Sequence, residues 1–442
     1  MKLINSQCAT QLSRNPGNTH DVWFFTSELE GERASSFRQE RWCRIFLQKG
    51  ARVCIFNIRG AFSYTYAVFE NEAQFDAFRE SCRTKAKPMA SIREGRAAKL
   101  IRRIKHLFLI DLFLPNNFLL IFHAHRLLVG RRSRNALMAS SPPFSVAVAG
   151  AILKRLHSSR IVFSVDMRDA WGLHTAMGGI PWIKRTIERA VLRSADYVTT
   201  VSHGLKNEYE ATYGIKVGVM YNVATHYFDL PPGFAEMDWA SLSADIDIQR
   251  LKLIYTGSTP ERFYDLISII GGIKHFRDSQ PALAERLQMI FVGACEEVRR
   301  EAKRQGMTGS DIVFVPHVPQ HLSKLIQANA DALIFLGYHG DGNKGVVSTK
   351  IFEYLLLGKP IIPFSLHEGS DVDRILRRYC GSSLNLHTKH DISNALASIA
   401  SMGLGILPCL NDRDDIKHLI KDYADHASNL LSCRLCPLSL ND

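Results

Sequence analysis

The chain has 442 residues, of which 46% are hydrophobic and 22% charged, and its net charge at pH 7 is +12. This length is enough for two or three domains with complete cores, and the ordinary globular composition argues against wholesale disorder. Nine cysteines are scattered along the chain. Cys433 and Cys436 form one CxxC, but no second pair supplies the other two ligands of a zinc site. Free thiols in a reducing cytoplasm are therefore expected.

In the first half of the chain, apolar runs of strand length alternate with helical patterns. The predicted strands are Val22–Phe25, Arg52–Asn57, Leu137–Ala139, Ile161–Val165 and Tyr197–Val201. Helices are predicted near Ser36–Lys49, within Glu70–Lys99, near Val146–His157, over Trp182–Arg193, and from the capping residue Ser202 to Gly214. Such alternation is typical of βαβ units that form a parallel sheet.

A second series of the same kind follows the polar stretch Asp229–Arg250, which we interpret as a linker. Its predicted strands are Leu251–Tyr255, Leu287–Val292, Ile312–Phe314, Ala332–Phe335 and Pro360–Pro363. The sequence thus predicts an α/β protein with two doubly wound, Rossmann-like domains. Domains of this type bind ligands at the carboxyl ends of their strands, so a cleft between two of them can hold two substrates face to face.

The segment Gly337–Pro363 carries the strongest functional signal. A glycine-rich loop with Lys344 leads into a helix with Lys350 and Glu353, and Gly358 ends that helix before an apolar strand. Free backbone N–H groups and the positive end of a helix dipole bind anions, and a lysine adds a charge. A carboxylate one turn later can accept hydrogen bonds from sugar hydroxyls. Phosphate together with ribose indicates a nucleotide; the alternative is an ordinary loop–helix–strand corner.

The positive charge is concentrated around an apolar segment, Leu107–Phe122, that is too broken to span a membrane. Basic side chains beside apolar ones favour a surface that contacts anionic lipid. A solvated helix face and a nucleic-acid site are the alternatives, although no nucleic-acid-binding module is visible. The basic residues are Arg93, Arg96, Lys99, Arg102, Arg103, Lys105, Arg126, Arg131, Arg132 and Arg134.

The N-terminus lacks the apolar core of a secretory signal, and no stretch reaches the roughly 18 apolar residues of a spanning helix. We therefore expect a cytoplasmic protein that is peripheral to the inner face of the membrane.

Six segments occur in the order found in one known family. They are Ser141–Pro143, Asp166–Trp171, Ala195–Ser202, Leu253–Ser258 with Arg262, Phe291–Gly293 with Val313–Val318, and Lys350–Pro360. On these segments, from about residue 22 to about residue 430, the chain resembles a GT-B glycosyltransferase of the retaining, family 4-like group. The resemblance implies two Rossmann-like domains facing across a cleft: an acceptor domain (1–228), a linker (229–250), a donor domain (251–412), and a C-terminal helix and tail (413–442) that pack back on the first domain.

The resemblance also implies the roles of individual residues. Asp169 and Arg168 would act on the acceptor, and Arg262 and Lys350 would stabilise the leaving diphosphate. For Asp169 and Arg168, a structural role in fixing the loop under Trp171 is the alternative. Donor binding would involve Gly31, Gly257, Ser258, Arg262, Lys344, Ser348, Thr349, Lys350 and Glu353. No metal or cofactor is expected besides a UDP- or GDP-linked sugar donor, because the Asp-x-Asp pairs at Asp245/Asp247 and Asp371/Asp373 are common by chance.

The chain departs from the family pattern at several positions. Gly345 replaces the first of two glutamates spaced eight positions apart, Ala170 replaces a proline, and Val223 replaces a glycine. The N-terminal glycine pair is reduced to Gly31.

The function implied is transfer of a sugar to a lipid-linked or polysaccharide acceptor in cell-surface glycan biosynthesis. The alternatives are a sugar-nucleotide epimerase or phosphorylase of the same fold, a partner protein that has lost activity, and a nucleic-acid-binding protein.

Overall fold

In the computed structural model, the chain divides into two units. The first comprises 1–201, 205–221 and 419–442, and the second 202–204 and 222–418. The structure describes residues 21–26, 34–60, 63–83, 115–129, 135–173, 180–223, 236–260, 263–307, 309, 311–338, 345–384, 386–410 and 416–432.

The first unit is built on a sheet of seven strands in the order β3-β2-β1-β4-β5-β6-β7. The strands are β1 (Asp21–Thr26), β2 (Arg52–Gly60), β3 (Ser63–Phe69), β4 (Asn135–Ser141), β5 (Ile161–Met167), β6 (Tyr197–Thr200) and β7 (Gly218–Val219). Every pairing is parallel except that of β2 with β3. β1, β4 and β5 are buried along their whole length, which explains the apolar stretches Val22–Phe25, Ala136–Ala139 and Ile161–Phe163 within them.

The helices of the first unit cover both faces of this sheet. They are α1 (Ala34–Gln48), α2 (Glu72–Arg83), α3 (Pro115–Val129), α4 (Ser145–Leu156), α5 (Pro181–Ser194), α6 (His203–Tyr213) and, at the end of the chain, α14 (His418–Ser432). One core contains residues of α3, α4 and α5, and the other contains residues of α1 and α14. A doubly wound unit results, with its loops at the carboxyl edge of the sheet.

The second unit contains a fully parallel sheet of five strands in the order β10-β9-β8-β11-β12. The strands are β8 (Leu251–Thr256), β9 (Leu287–Val292), β10 (Ile312–Val315), β11 (Ala332–Leu336) and β12 (Ile361–Phe364). The helices are α7 (Leu266–Ser279), α8 (Pro281–Ala284), α9 (Glu296–Arg304), α10 (Gln320–Ala328), α11 (Lys350–Leu357), α12 (Asp371–Cys380) and α13 (Lys389–Met402). In both units, the change of strand order beside the first strand places a ligand-binding edge there.

The predicted α/β class with two Rossmann-like units is confirmed. Among the described elements of the first unit, β3, β7 and α3 were not predicted. Most of the basic segment, including 84–114 and 130–134, lies outside the described residues. Among the described helices, none combines the length and apolar character needed to cross a bilayer.

Candidate functional site

Two glycines bring two loops together at the carboxyl edge of the second sheet. Gly257 follows β8 with φ 140°, and Gly293 follows β9 with φ 118°. A Cβ atom on Gly293 would overlap the carbonyl oxygen of Gly257, so a side chain is excluded there on steric as well as conformational grounds. The thiol of Cys295 donates to the same carbonyl at 3.4 Å.

The end of the Lys350 side chain occupies the space beside Gly257. A Cβ atom on Gly257 would lie 2.6 Å from Lys350 Cε and 2.7 Å from its Nζ. The ammonium is 5.6 Å from the centre of the Tyr255 ring. Burial lowers the pKa of Lys350, and Glu353 partly offsets this effect. Within the described part of the chain Lys350 forms no ion pair, so its charge is available to an anionic ligand.

The two residues before α11 form hydrogen bonds at the start of this helix, where Lys350 is the first residue. The Ser348 hydroxyl accepts from the backbone N–H of Lys350 at 3.4 Å, and the Thr349 hydroxyl accepts from the Asn222 amide at 3.3 Å. Gly358 ends the helix in the left-handed conformation that glycine favours. Lys350 thus lies at the positive end of the helix dipole, where an anion is stabilised.

Glu353 lies one turn into α11 and is half-buried. The buried Gln327 amide reaches its carboxylate at 3.5 Å and also donates to the Thr256 hydroxyl at 2.7 Å. Gln327 therefore connects the end of β8 with the helix that carries Lys350 and Glu353. A carboxylate held in this way beside an anion-binding lysine has the chemistry needed to accept hydrogen bonds from ribose hydroxyls.

Replacement of Glu353 with alanine is expected to weaken nucleotide binding by about 1–3 kcal/mol, the range for hydrogen bonds to a charged group. Isothermal titration with UDP and GDP measures this loss. Glu368→Ala is the matched control, because its side chain is 78% exposed. Equal nucleotide affinity in the two variants would remove Glu353 from the site.

Asp371 and Asp373, one of the two Asp-x-Asp pairs considered as metal ligands, are both bonded to protein donors. Asp371 accepts from the backbone N–H groups of His203 and Gly204, at 2.9 and 2.7 Å. Asp373 accepts from the N–H of Gly369 at 2.9 Å and from Arg377 at 3.1 Å. Among the described residues, no group of three potential metal ligands occurs, and neither oxygen of Asp371 points away from a protein donor.

In the first unit, Arg168 and Asp169 follow β5 at the carboxyl edge of its sheet. Arg168 is buried and donates to the backbone carbonyls of Ser141 at 3.3 Å and Pro142 at 2.5 Å, which fixes the loop to the end of β4. Asp169 is exposed. The geometry of Arg168 is that of a residue which holds the loop, whereas the Asp169 carboxylate is accessible to a ligand.

Three predicted site residues, Gly31, Arg262 and Lys344, lie outside the described residues. The structure brings together Gly257, Lys350 and Glu353 in the second unit and places Ser258 on the same loop as Gly257. Sequence reasoning missed Gln327 and the steric role of Gly293. The glycine directly after a predicted strand was a usable signal for Gly293, but no local pattern marks Gln327.

Comparisons with known proteins extend these observations. No protein-family model matches the chain, and no curated protein sequence matches it. Among solved structures, HepE of Anabaena in complex with UDP and glucose is 13% identical, with a TM-score of 0.50 over 93% of this chain and 95% of that one.

Two further solved structures match the fold of this chain to a similar extent. A trehalose-6-phosphate structure from E. coli bound with UDP-2-fluoro glucose is 9% identical, with a TM-score of 0.56 over 93% of this chain and 97% of that one. A UDP-forming α,α-trehalose-phosphate synthase of Burkholderia xenovorans is 10% identical, with a TM-score of 0.56 over 94% and 99%. At such low identity the agreement concerns the fold: the chain has the GT-B fold, with two Rossmann-like units.

Proposed function

We propose that the protein is a retaining glycosyltransferase that transfers a sugar from a UDP- or GDP-linked donor to a lipid-linked or polysaccharide acceptor. The observation that carries this proposal is the half-buried ammonium of Lys350, which forms no ion pair with any residue that the structure describes, packs against Gly257 and lies one turn from Glu353. Three proteins of the same fold whose structures or names include UDP or a UDP-sugar support the choice of ligand.

Lys350 would stabilise the charge that develops on the leaving diphosphate. The ammonium is partly desolvated before the donor binds, so its interaction with an anion is stronger than in water and requires little reorganisation. Arg262, as the resemblance implies, would supply a second positive charge, and Glu353 would bind the ribose. The proposed mechanism uses protein groups for these tasks and requires no metal.

Asp169 would orient the acceptor hydroxyl in the first unit. Retention often needs no strong enzymic base, because the leaving phosphate can take the acceptor proton. In that case the exposed Asp169 carboxylate serves to hold the hydroxyl group in place. Arg168 fixes the loop that carries Asp169. A residue that orients a substrate needs such a rigid support.

Two assays test the donor side of the proposal. UDP or GDP should raise the melting temperature of the protein, since a ligand that binds only the folded state stabilises it. Sugar transfer from the matching donor should persist in excess chelator. Absence of stabilisation by any nucleoside diphosphate would contradict nucleotide binding, and activity that is lost in chelator and restored by manganese or magnesium would contradict metal independence.

The acceptor class is supported by an exposed apolar surface on the first unit. Leu119, Phe122 and Val129 lie on one face of α3 and are 52%, 61% and 56% exposed. Ile152 and Leu156 on the adjacent α4 are also exposed. We call these five residues the apolar face. Water-exposed apolar side chains on two packed helices favour contact with a nonpolar environment.

Basic side chains accompany the apolar face. Arg126 lies over the Phe122 ring at 5.8 Å, and Arg155 is exposed next to Leu156. The basic residues at 93–105 and 131–134 flank the same helix in sequence. This combination fits an anionic lipid surface and supports a position at the periphery of a membrane, where a lipid-linked acceptor would be accessible.

Binding to vesicles is expected to rise with anionic lipid content and to collapse at high salt, because exposed charges are screened beyond about 8 Å at physiological salt. The double variant Phe122→Glu/Leu156→Glu should sediment less with anionic vesicles than wild type. The reduction should be at least as large as that caused by charge reversal at four basic positions outside the described residues, Arg102, Arg103, Arg131 and Arg132.

Ile267→Glu is the control, because Ile267 is 58% exposed but belongs to the second unit. Nucleotide affinity should be unchanged in all these variants. Undiminished sedimentation of the Phe122/Leu156 variant would show that the apolar face does not contact lipid, and a soluble acceptor would then be favoured.

A further inference from the structure

A buried carboxylate lies behind the loop that carries Asp169. Glu188, on α5, is fully buried. Its carboxylate accepts from the backbone N–H of Gly172 at 3.0 Å and from the Tyr213 hydroxyl at 2.5 Å. Burial raises the pKa of Glu188 despite these donors, so the ionised side chain is costly for the fold.

The contacts of Glu188 reach both ends of the segment Asp169–Gly172. At one end the carboxylate binds the N–H of Gly172 directly. At the other end the Tyr209 hydroxyl lies 3.4 Å from the backbone carbonyl of Asp169 and 3.5 Å from the Glu188 carboxylate, and so connects the two. There is no space for a side chain at Gly172, where a Cβ atom would overlap the Glu188 carboxylate and lie 3.2 Å from the Tyr213 hydroxyl.

The middle of the segment is held by aromatic stacking. Trp171 stacks on Phe144, with ring centres 4.2 Å apart and an interplanar angle of 7°. Lys184, one turn before Glu188 on α5, places its ammonium 5.1 Å from the centre of the Trp171 ring. One face of α5 therefore contacts the backbone and the largest side chain of this loop, while the Asp169 side chain alone is exposed.

We propose that Glu188 is a positioning residue for sugar transfer: by fixing the backbone of Asp169–Gly172 it holds the Asp169 carboxylate in the orientation that the acceptor hydroxyl requires. This inference rests on the proposed function. The Glu188 carboxylate lies in the core at a cost to stability, and it is bonded to a loop that exposes another carboxylate. A role in positioning that loop explains why such a costly group is present.

The test compares Glu188→Gln and Tyr209→Phe with Glu208→Gln, a control on α6 that is only partly buried. Transfer to acceptor should fall about 10- to 100-fold in the first two variants, because small displacements of an orienting group have effects of this size. UDP affinity and hydrolysis of the donor by water should stay within about twofold of wild type, since they do not use the acceptor loop. The melting temperature of Glu188→Gln should stay close to that of wild type, because burial, which raises the pKa of Glu188, opposes its ionisation while Lys184 and the two hydrogen-bond donors favour it.

A purely structural role predicts the opposite pattern. It requires a lower melting temperature and equal losses of transfer, hydrolysis and UDP affinity in Glu188→Gln. Either that result or wild-type transfer in both Glu188→Gln and Tyr209→Phe would overturn the proposal.

A readout that needs no activity separates this proposal from the proposed function. With 5-fluorotryptophan incorporated, the ¹⁹F resonance of Trp171 can be assigned by its loss in Trp171→Phe. It should shift or broaden in Glu188→Gln and Tyr209→Phe but not in Glu208→Gln. If wild-type protein transfers no sugar but Trp171 responds, the proposed function fails while the contact between Glu188 and the loop stands. If Trp171 does not respond, Glu188 does not position the loop.

Discussion

Lys350→Met is expected to lower the rate of sugar transfer by about 100- to 1000-fold, the effect of removing one group that stabilises charge in a transition state. The reason is the position of the ammonium, which packs against Gly257 and forms no ion pair with any described residue. The stability of the protein should not fall, because burial lowers the pKa of Lys350 and the charged side chain therefore costs free energy in the unliganded fold.

Kinetics of Lys350→Met and the control Lys389→Met measure this effect. Lys389 is exposed and begins another helix of the same unit. Transfer should fall mainly through kcat if Lys350 acts on the leaving group, and mainly through KM if it only binds the ground-state diphosphate. Wild-type turnover in Lys350→Met would place the residue outside the catalytic site.

Arg38→Met is expected to destabilise the first unit by about 3–5 kcal/mol, the cost of leaving one member of a buried ion pair without its partner. Arg38 and Asp166 are both fully buried and form two hydrogen bonds, of 2.9 and 2.5 Å. The remaining Arg38 nitrogen donates to the Tyr423 hydroxyl of α14 and to the carbonyl of Met220. Removing Arg38 therefore leaves a buried carboxylate unpaired and loosens the C-terminal helix.

Urea unfolding followed by tryptophan fluorescence measures the loss. The double variant Arg38→Met/Asp166→Asn should recover part of it, since replacing both members of a buried pair is far less costly than removing one. A loss below about 1 kcal/mol in the single variant would show that the pair does not stabilise the unit.

His426 interacts electrostatically with Asp166 and Arg38, and its titration predicts that the protein is less stable in acid. Burial lowers the pKa of His426 to about 4, and its usual value is 6.5. Between these values the unfolded chain binds a proton that the folded protein does not, so stability falls as the pH drops from about 6.5 to 4, by a few kcal/mol at most. Burial opposes ionisation of Asp166, but Arg38 outweighs this effect and lowers the pKa of the carboxyl, so its contribution is lost only below the usual carboxyl range. His426→Phe should flatten the decline above pH 4.

The parallel sheets could be predicted from the sequence because their strands are buried on both faces. β4 and β5 contain the short apolar runs Ala136–Ala139 and Ile161–Phe163, which are a local signal. β3 was missed although Tyr64, Tyr66 and Val68 alternate along it. Its antiparallel pairing with β2 does not fit a βαβ pattern, and a search for parallel units therefore passes over it.

The residues of the candidate site likewise fall into those that a local sequence pattern predicts and those that it does not. Lys350 and Glu353 were predicted because their spacing on a helix after a glycine-rich loop is a local pattern. Gln327 and Glu188 could not be predicted, since each acts through partners that are distant in sequence: Thr256 for Gln327, and Gly172 and Tyr213 for Glu188. A buried polar residue acquires its role only once the fold has supplied such partners.

The most direct test of the central claim is the turnover of nucleoside-diphosphate sugars by wild-type protein and by Lys350→Met, at equal concentration and in chelator. Lipid-linked sugar acceptors are supplied on anionic vesicles, and both release of the nucleoside diphosphate and the anomeric configuration of the product are measured. We predict release with the wild type on at least one UDP- or GDP-linked donor, a product that retains the donor's configuration, and at least a 100-fold slower release with Lys350→Met. Equal release by the two proteins, or none by the wild type on any donor whose nucleotide stabilises the fold, would contradict the claim that this chain is a glycosyltransferase.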